Sequence, residues 1–301
     1  MPIKMISLPI RYLCLISLAL LPFSPSVSAH EFKLSVMNYN IKGLPLPWLK
    51  HKGRYERIAK AILTLKDSVG LPDILSLQES IQKRTKAIPL MTKYPFVTKG
   101  PEKKFLRSSS GVVTMSKYQI IQKNTLVYDK CASYDCLARK GVLHTRIRVP
   151  GMPVDIDLYS THTQAGPTGD FITPKKLTDK IRDYQVFKMA DFVVKTHNPR
   201  NILLMVGDFN FRPSANIYFP FSAYLGLENS AYNCGVWQDC QGATDTYSLW
   251  ENLIDHQFYR APDSGDIQIR PVYFNKFFDD PTGGKVYSDH KAVLVQYEIK
   301  W

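Results

Sequence analysis

Short apolar runs rich in β-branched and aromatic residues recur along the chain, and each is bounded by Gly, Pro, Asn or Ser. Such runs are typical of strands separated by turns. Val142–Val149 alternates in part between apolar and polar positions, as expected for a strand with one buried face. The runs that predict strands are Lys33–Asn38, Asp73–Leu77, Gly111–Met115, Ile120–Tyr128, Val142–Val149, Val154–Tyr159, Ile202–Val206, Leu253–Tyr259 and Ala292–Ile299.

Two segments, Arg54–Lys66 and Leu177–Thr196, instead have the period of an amphipathic helix. Thr173 and Pro174 precede the second segment as a plausible cap and first-turn proline. Many strands with a few helices predict two packed sheets with helices on their outer faces. The predicted apolar faces consist of Ile58, Ala61, Ile62 and Leu65 in the first helix and Leu177, Ile181, Tyr184, Met189, Phe192 and Val193 in the second.

Residues 1–29 have the pattern of a secretory signal peptide. Lys4 and Arg11 precede a short apolar run, Tyr12–Leu21, and small residues lead up to Ala29. The run is too short for a comfortable membrane span. We therefore expect cleavage after Ala29 and secretion, with an uncleaved anchor as the alternative. No repeat or linker divides residues 30–301, which predicts a single catalytic domain there.

The chain is basic, with a formal net charge of +13, and removal of Lys4 and Arg11 leaves +11. A basic excess favours polyanions or anionic membrane surfaces and is equally compatible with a soluble basic protein. The charge therefore agrees with a phosphate-bearing partner without selecting one.

Four of the five cysteines form two local pairs, Cys131/Cys136 and Cys234/Cys240. In an exported protein, an even number of cysteines at short spacing favours disulfides. Zinc binding is the alternative, but neither pair has the two-residue gap of a zinc knuckle, and the pairs lie far apart in the sequence.

Polar clusters follow several of the apolar runs. Carboxylates, amides and imidazoles at strand ends can converge on one sheet edge and bind a metal and a phosphate. Taken together, the clusters predict a phosphodiester-cleaving enzyme. They are Tyr39-Asn40-Ile41, Gln78-Glu79, Ser160-Thr161-His162-Thr163, Gly207-Asp208-Phe209-Asn210 and Ser288-Asp289-His290.

Asp208 and Asn210 follow a buried-type strand, and Gly207 would let the backbone turn. Residues two apart on an extended chain share a face, so both side chains could contact one ligand. Asp208 could move a proton while Asn210 donates a hydrogen bond to a phosphoryl oxygen. A simple Asp/Asn turn is the alternative.

Asp289 and His290 precede the last predicted strand. An aspartate can orient an imidazole that acts on water as a general base. Asp289 could instead bind metal. The alternative to any functional role is that these residues form a surface turn. Asp255 could orient a catalytic histidine, whereas the adjacent His256 is more plausible as a structural residue.

Glu79 ends an apolar run and would be a hard oxygen ligand for Mg²⁺. Asn40 could complete the metal shell or hold Glu79, and His162 would donate to the phosphate. His144 and His197 have no polar cluster near them in the sequence.

The order of these motifs resembles the endonuclease/exonuclease/phosphatase superfamily over essentially all of residues 30–301. The resemblance implies an α+β fold, a four-layer two-sheet β-sandwich flanked by helices, as in deoxyribonuclease I. It also implies a Mg²⁺ cofactor, for which Mn²⁺ or Co²⁺ could substitute. The roles that it implies are metal binding by Glu79 and Asn40, phosphoryl contacts and leaving-group assistance by His162, Asp208 and Asn210, and water activation by Asp289 and His290 with support from Asp255.

Within the superfamily, the sequence is most similar to secreted bacterial neutral sphingomyelinases. Residues 131–142 resemble an Asp-then-Lys-Gly segment of that family, and Lys140 could face an anionic headgroup or be an ordinary solvated lysine. Residues 271–284 carry several aromatics, among them Phe277 and Phe278, before an acidic turn. The resemblance implies an exposed hairpin that enters the bilayer, although the same aromatics could be core residues.

The sequence therefore predicts a secreted, monomeric, Mg-dependent phosphodiesterase that converts sphingomyelin or a related phospholipid to ceramide and phosphocholine at a membrane surface. A secreted nuclease, attracted to nucleic acid by its basic charge, and a phosphoinositide phosphatase are alternatives in the same superfamily. A catalytically inactive binding module is a different class, and the intact acid, amide and imidazole set argues against it.

Overall fold

A computed structural model describes residues 30–44, 52–166, 173–236, 239–243 and 245–301. The predicted signal peptide lies outside these residues. The strands are β1 Glu31–Asn40, β2 Ile74–Gln78, β3 Phe96–Lys99, β4 Val113–Ser116, β5 Gln119–Val127, β6 Gly141–Arg148, β7 Ile156–His162, β8 Ile202–Asp208, β9 Glu228–Asn229, β10 Gln241–Gly242, β11 Asp255–Arg260, β12 Gln268–Phe277 and β13 Ala292–Lys300.

The strands form two mixed sheets. One has seven strands in the order β10-β12-β13-β1-β2-β4-β3, and the other has six in the order β5-β6-β7-β8-β11-β9. Leu34, Val36 and Ile74 share a buried cluster with residues of β7 and β8, so this face of the seven-stranded sheet packs on the second sheet. Met37 and Tyr39 point to the opposite face, as strand alternation requires.

Helices cover the outer faces and complete the four layers that the sequence predicts. In α1, Ile58 and Ile62 pack in one cluster with Met37 and Tyr39. In α3, Met189 and Val193 pack in the cluster of the six-stranded sheet. The helices are α1 Arg54–Thr64, α2 Ala87–Thr92, α3 Lys175–Thr196, α4 Tyr218–Leu225, α5 Ser230–Val236 and α6 Thr246–Glu251.

The predicted apolar face of the second helix is wrong at its start, because Leu177 is 45% exposed while Thr178 and Arg182 are buried. Gln185 explains the difference. Its Oε1 accepts from the backbone N of Gln164 at 2.7 Å, and its Nε2 donates to a carbonyl oxygen at 2.8 Å. These bonds turn a partly polar face of α3 towards the sheet.

The aromatic segment is strand β12, which pairs antiparallel with β13, and Phe277 lies opposite Ala292. Phe274 is buried in the sandwich. Phe277 and Phe278 are half-buried against the outer cluster, where the Phe278 ring lies 5.7 Å from that of Tyr39. Phe277 and Phe278 therefore pack on the protein while remaining partly exposed, and their contact with a membrane stays a prediction.

Both predicted disulfides are confirmed, since Cys131 is bonded to Cys136 and Cys234 to Cys240. Among the described helices, none combines the length and apolar character that a bilayer crossing requires.

Candidate active site

Strand register brings the predicted polar residues to one edge of the sandwich. β7 and β8 run parallel with His162 opposite Asp208, and antiparallel β11 places Asp255 opposite the same Asp208. On the other sheet, parallel β1 and β2 place Asn40 opposite Gln78, the residue before Glu79. Four strand ends and one strand start therefore meet here.

Asn40 joins the two sheets. Its Nδ2 donates to Glu79 Oε1 at 3.2 Å and to Asp208 Oδ2 at 3.0 Å. Its Oδ1 accepts from the backbone N of Lys42 at 3.0 Å. Of the two roles that the sequence allowed for Asn40, the structure shows that of holding Glu79.

The two carboxyl groups beside Asn40 have a raised affinity for protons. Burial raises the pKa of Glu79 to about 7, with Lys140 and Asn40 opposing the shift. Burial, followed by repulsion from Asp255, raises the pKa of Asp208 to about 6. Buried oxygens that are short of positive charge favour a cation or a proton at this position.

His290 is oriented by Asp255. Its Nδ1 lies 2.7 Å from Asp255 Oδ2, and its Nε2 lies 3.8 Å from Asp208 Oδ2. Although burial opposes the charged ring, Asp255 and Asp208 raise the pKa of His290 well above its usual value. The arrangement stabilises an imidazolium and leaves Nε2 facing the site.

Asp289 lies on the rim of the site. Its side chain is 46% exposed, and Oδ2 pairs with Lys42 Nζ at 2.9 Å. The preceding Ser288 is buried and donates from Oγ to the backbone oxygen of Asn40 at 2.6 Å. Asp255, rather than the sequence neighbour Asp289, is thus bonded to the His290 ring, and the catalytic role of Asp289 stays a prediction.

Lys140 lies inside the site. It is 4% exposed, and its Nζ pairs with Asp135 Oδ1 and donates to the Thr163 carbonyl oxygen, both at 2.8 Å. Burial rules out the alternative of an ordinary solvated lysine. Contact of Lys140 with an anionic headgroup bound in the site stays a prediction.

The same lysine fixes the state of His162, whose Nε2 lies 2.9 Å from Lys140 Nζ. An ammonium group only donates, so Nε2 accepts and the ring proton resides on Nδ1. Burial, Lys140 and His290 together hold the pKa of His162 well below its usual value. His162 is therefore a neutral imidazole, able to donate from Nδ1.

Asn210 and Asp208 form a turn and still contribute to the site. Asn210 has a φ of 52°, and its backbone N donates to Asp208 Oδ1 at 3.0 Å. Asn210 Nδ2 donates to the Thr163 carbonyl oxygen at 3.1 Å. The turn begins after Asp208, because Gly207 lies within β8 and does not itself make the turn.

Two cations beside the site were missed from the sequence. Lys42 pairs with Asp289, and its Nζ also donates to the Gly283 oxygen at 3.0 Å. Arg54 is fully buried and donates from Nη1 to the Gly284 oxygen at 3.0 Å. Arg54 could have been found, because it is four residues before Ile58 on the apolar face of α1.

The donor set fits a divalent cation. Glu79 supplies an anionic oxygen, and ligand atoms of Asp208, Asp255 and His290 lie within 4.8 Å of one another. Asp255 Oδ1 is buried without a hydrogen-bond partner among the described residues. Because Asp255 and His290 already bond each other, Glu79 is the better position for a hard cation, which needs only one or two protein carboxylates.

Comparison with known proteins agrees with the fold and gives the family. The Endonuclease/Exonuclease/phosphatase family matches residues 37–290. A sphingomyelinase of Dictyostelium discoideum is 29% identical over 182 residues, which are 52% of this chain and 40% of that protein. Sphingomyelinase C of Listeria ivanovii is 25% identical over 205 residues, 68% of this chain and 56% of that protein. The chain spans about half the length of these curated relatives.

Among solved structures, a beta toxin mutant of Staphylococcus aureus with bound magnesium ions has the same fold. The TM-score is 0.61 at 18% identity, with 88% of this chain and 99% of that chain covered. Two packed sheets with helices outside and a polar site at one edge define a deoxyribonuclease I-like sandwich. The chain belongs to the endonuclease/exonuclease/phosphatase family.

Proposed function

We propose that this protein is a metal-dependent phosphodiester hydrolase that acts on sphingomyelin or a related phospholipid, releasing phosphocholine. The observation that carries the proposal is the Asp255–His290 pair, which faces the Glu79–Asn40–Asp208 cluster across one sheet edge. A base held beside acidic oxygens suits attack of water on a phosphodiester. The choice of lipid is supported by the relatives named sphingomyelinases, since a shared fold does not select a substrate.

His290 would accept a proton from the attacking water at Nε2, while Nδ1 stays bonded to Asp255. Because its pKa is raised, the ring acts only after Nε2 has lost its own proton, which a cation bound at Glu79 would favour. The carboxylates that raise the pKa of His290 stabilise the imidazolium that forms. Asp208, whose pKa is about 6, holds a proton in part of the population near neutral pH and can give it to the departing alkoxide. The reaction needs no covalent intermediate.

Neutral His162 and the carboxamide of Asn210 would donate to phosphoryl oxygens as negative charge develops there. Glu79, held by Asn40, would bind the metal ion, for which we propose Mg²⁺. When bound, such an ion supplies positive charge that stabilises the phosphoryl and leaving-group oxygens.

We further propose that the protein works outside the cell, at a phospholipid membrane and as a monomer. The two disulfides support export, because such bonds persist in oxidising compartments. Secretion through residues 1–29 would be tested by N-terminal sequencing of the exported protein, which should begin at His30.

The test of activity is phosphocholine release from sphingomyelin vesicles, with Mg²⁺ and with EDTA. We expect release that EDTA abolishes and that Mg²⁺ restores, with Mn²⁺ or Co²⁺ as substitutes. Glu79→Ala and His290→Ala should each lower the rate by about a hundredfold or more. Intact hydrolysis in both folded variants would contradict the proposed site.

DNA and a phosphoinositide belong in the same assay as alternative substrates. Hydrolysis of either one, with none of sphingomyelin, would move the protein to the nuclease or phosphatase branch of the family. The same two variants would then test whether the site is shared.

A further inference from the structure

Two short loops expose apolar side chains that belong to neither buried core. Phe105 is 97% and Leu106 is 99% exposed, at the tip of the loop between β3 and β4. Tyr134 and Leu137 are each 55% exposed, in the 3₁₀ turn Ser133–Leu137. We name these four residues the apolar rim. Grouped exposed apolar side chains indicate an interaction surface rather than chance exposure.

The two loops are joined into one surface. The backbone N of Ser108 donates to the Leu137 oxygen at 2.8 Å, and the backbone N of Arg139 donates to the Ser108 oxygen at 3.1 Å. Arg107 Nη2 donates to the Ala138 oxygen at 2.7 Å. These hydrogen bonds tie together the two loops that carry the apolar rim.

Both loops begin or end at the candidate active site. The first ends at Gly111, whose oxygen accepts from the backbone N of Ser80 at 2.8 Å, and a Cβ there would lie 2.9 Å from Glu79 Cα. The second contains Asp135, which pairs with Lys140 at 2.8 Å. A surface bound to the apolar rim would therefore lie beside the groups proposed for hydrolysis.

The tip of the first loop holds its apolar residues outward. Lys104 and Arg107 exchange two backbone hydrogen bonds of 3.1 Å, which leaves Phe105 and Leu106 at the centre of a tight turn. Phe105 has a φ of 51°, a conformation that bulky residues rarely adopt and glycine adopts easily. A large aromatic at this position is therefore costly for the backbone.

Basic residues flank the first loop of the apolar rim and its junction with the second. Lys103 and Lys104 are exposed next to Phe105, and Arg107 and Arg139 lie at the junction of the loops, against the single acid Glu102 within residues 102–107. Apolar side chains flanked by Lys and Arg suit the headgroup region of a bilayer that contains anionic lipid.

We propose that the apolar rim is the surface that docks this protein on a phospholipid bilayer with an anionic component. Phe105 and Leu106 enter below the headgroups, and the flanking basic residues contact lipid phosphates. The inference rests on the proposed function in that docking delivers a lipid phosphodiester to the site. It assigns membrane contact to the apolar rim instead of Phe277 and Phe278, which pack against the Tyr39 cluster.

The test is co-sedimentation with phosphatidylcholine vesicles that contain phosphatidylglycerol. Phe105→Ser/Leu106→Ser should lower vesicle partitioning by about tenfold or more, because two apolar side chains no longer leave water. Phe187→Ser/Val194→Ser is the matched control, since these side chains are 50% and 60% exposed on α3. The control should bind vesicles as the unchanged protein does.

Two further measurements examine depth and charge. Leu106→Cys labelled with bimane should shift its emission to the blue on vesicle addition, because the probe enters an apolar layer. Lys103→Glu/Lys104→Glu should remove most of the preference for phosphatidylglycerol, by about fivefold or more for each charge. Both readouts are independent of hydrolysis.

Unchanged partitioning of the Phe105/Leu106 variant, or an unshifted bimane, would overturn the proposal. So would a concentration-dependent dimer that this variant abolishes, since the apolar rim would then be a protein interface. Turnover of water-soluble bis(p-nitrophenyl) phosphate tests the proposed hydrolysis separately from docking, because this substrate requires no membrane. If the unchanged protein docks through the apolar rim but hydrolyses no phosphodiester, the proposed function fails and the docking surface stands.

Discussion

Two histidines neighbour Asp255, His256 in the sequence and His290 in space. Their surroundings shift their pKa values in opposite directions. His256 is fully buried beside the rings of Phe209, Phe211, Tyr218 and Phe258. Its Nε2 lies 2.9 Å from the Phe211 oxygen, and burial lowers its pKa to about 4. His290 faces two carboxylates, which raise its pKa. The immediate environment thus separates a structural imidazole from a reactive one.

The lowered pKa of His256 predicts a loss of stability in mild acid. The unfolded chain binds this proton near pH 6.5, whereas the folded protein excludes it down to about pH 4. The stability from the neutral ring is complete above pH 6.5 and is lost as the pH falls towards 4, on the order of 3 kcal/mol. Urea unfolding between pH 7.5 and 4.5 measures it.

His256→Gln is the control for this titration. Groups with a raised pKa, such as Glu79, act in the opposite direction, so only the difference between the two proteins isolates His256. The variant should be less stable at pH 7.5. As the pH falls, it should not lose the stability that the wild-type protein loses through protonation of His256. Parallel stability curves for the two proteins would rule out the role assigned to the ring.

The bond between Asp255 and His290 predicts which aspartate matters more for turnover. Asp255→Asn removes the charge that stabilises the imidazolium, and kcat should fall by about a hundredfold or more. Asp289→Asn changes a half-exposed group paired with Lys42 and should cost less. Phosphocholine release by both variants decides this, and a larger loss for Asp289→Asn would show that the ring depends on Asp289 instead.

At the scale of elements, the site depends on close packing between β7 and β8. Their parallel register sets His162 beside Asp208. Gly207 has a φ of 141°, and a Cβ built on it would lie 2.1 Å from the Thr161 oxygen. Only glycine fits this contact, because the clashing atom is backbone and cannot turn away.

Gly207→Ala should therefore force β7 and β8 apart, lower the free energy of unfolding by about 3 kcal/mol or more, and reduce activity. Gly166→Ala is the matched change, since among described residues no atom lies within 4 Å of its Cβ, and it should alter stability by less than about 0.5 kcal/mol. Chemical unfolding compares them. Equal stability of the two variants would contradict the packing argument.

Strands with strong periodicity were predictable, and those defined by partners were not. The runs that became β1, β6 and β8 were found within a few residues, because each is bounded by turn residues. For β12, the aromatic residues leave an exposed hairpin and core residues as alternatives, and neither alternative reveals the pairing with β13. The fold class followed from the pattern and the resemblance together.

The residues of the site could be predicted from the sequence, but only some of their contacts. The expectation that Asp255 orients a catalytic histidine agrees with its contact with His290 at 2.7 Å, whereas the bond from Asn40 to Asp208 depends on how the two sheets pack and was not predicted. The same holds for His144 and His197, which have no polar neighbours in the sequence yet lie 2.9 and 3.1 Å from the buried carboxylate of Asp157. Side chains that are brought together by tertiary packing have no characteristic spacing in the sequence, so their contacts cannot be predicted from it.

At the scale of the whole molecule, charge and chemistry answer different questions. The net charge of +13 attracts any polyanion, and this attraction weakens as the salt concentration rises. The Asp255–His290 pair and the apolar rim instead depend on short contacts, which salt screens much less. Binding of nucleic acid by this protein would therefore be no measure of its reaction.

This separation predicts different salt responses for two ligands. Raising NaCl from about 50 to 200 mM should weaken DNA binding by about tenfold or more, whereas phosphocholine release from uncharged sphingomyelin/phosphatidylcholine vesicles should change by less than about twofold. DNA should bind without being cut when Mg²⁺ is present. If DNA is cleaved, and His290→Ala abolishes the cleavage, the basic surface delivers the substrate and the protein is a nuclease. If lipid turnover does not change with salt and the DNA stays intact, the substrate is selected by short-range contacts at the apolar rim and in the site.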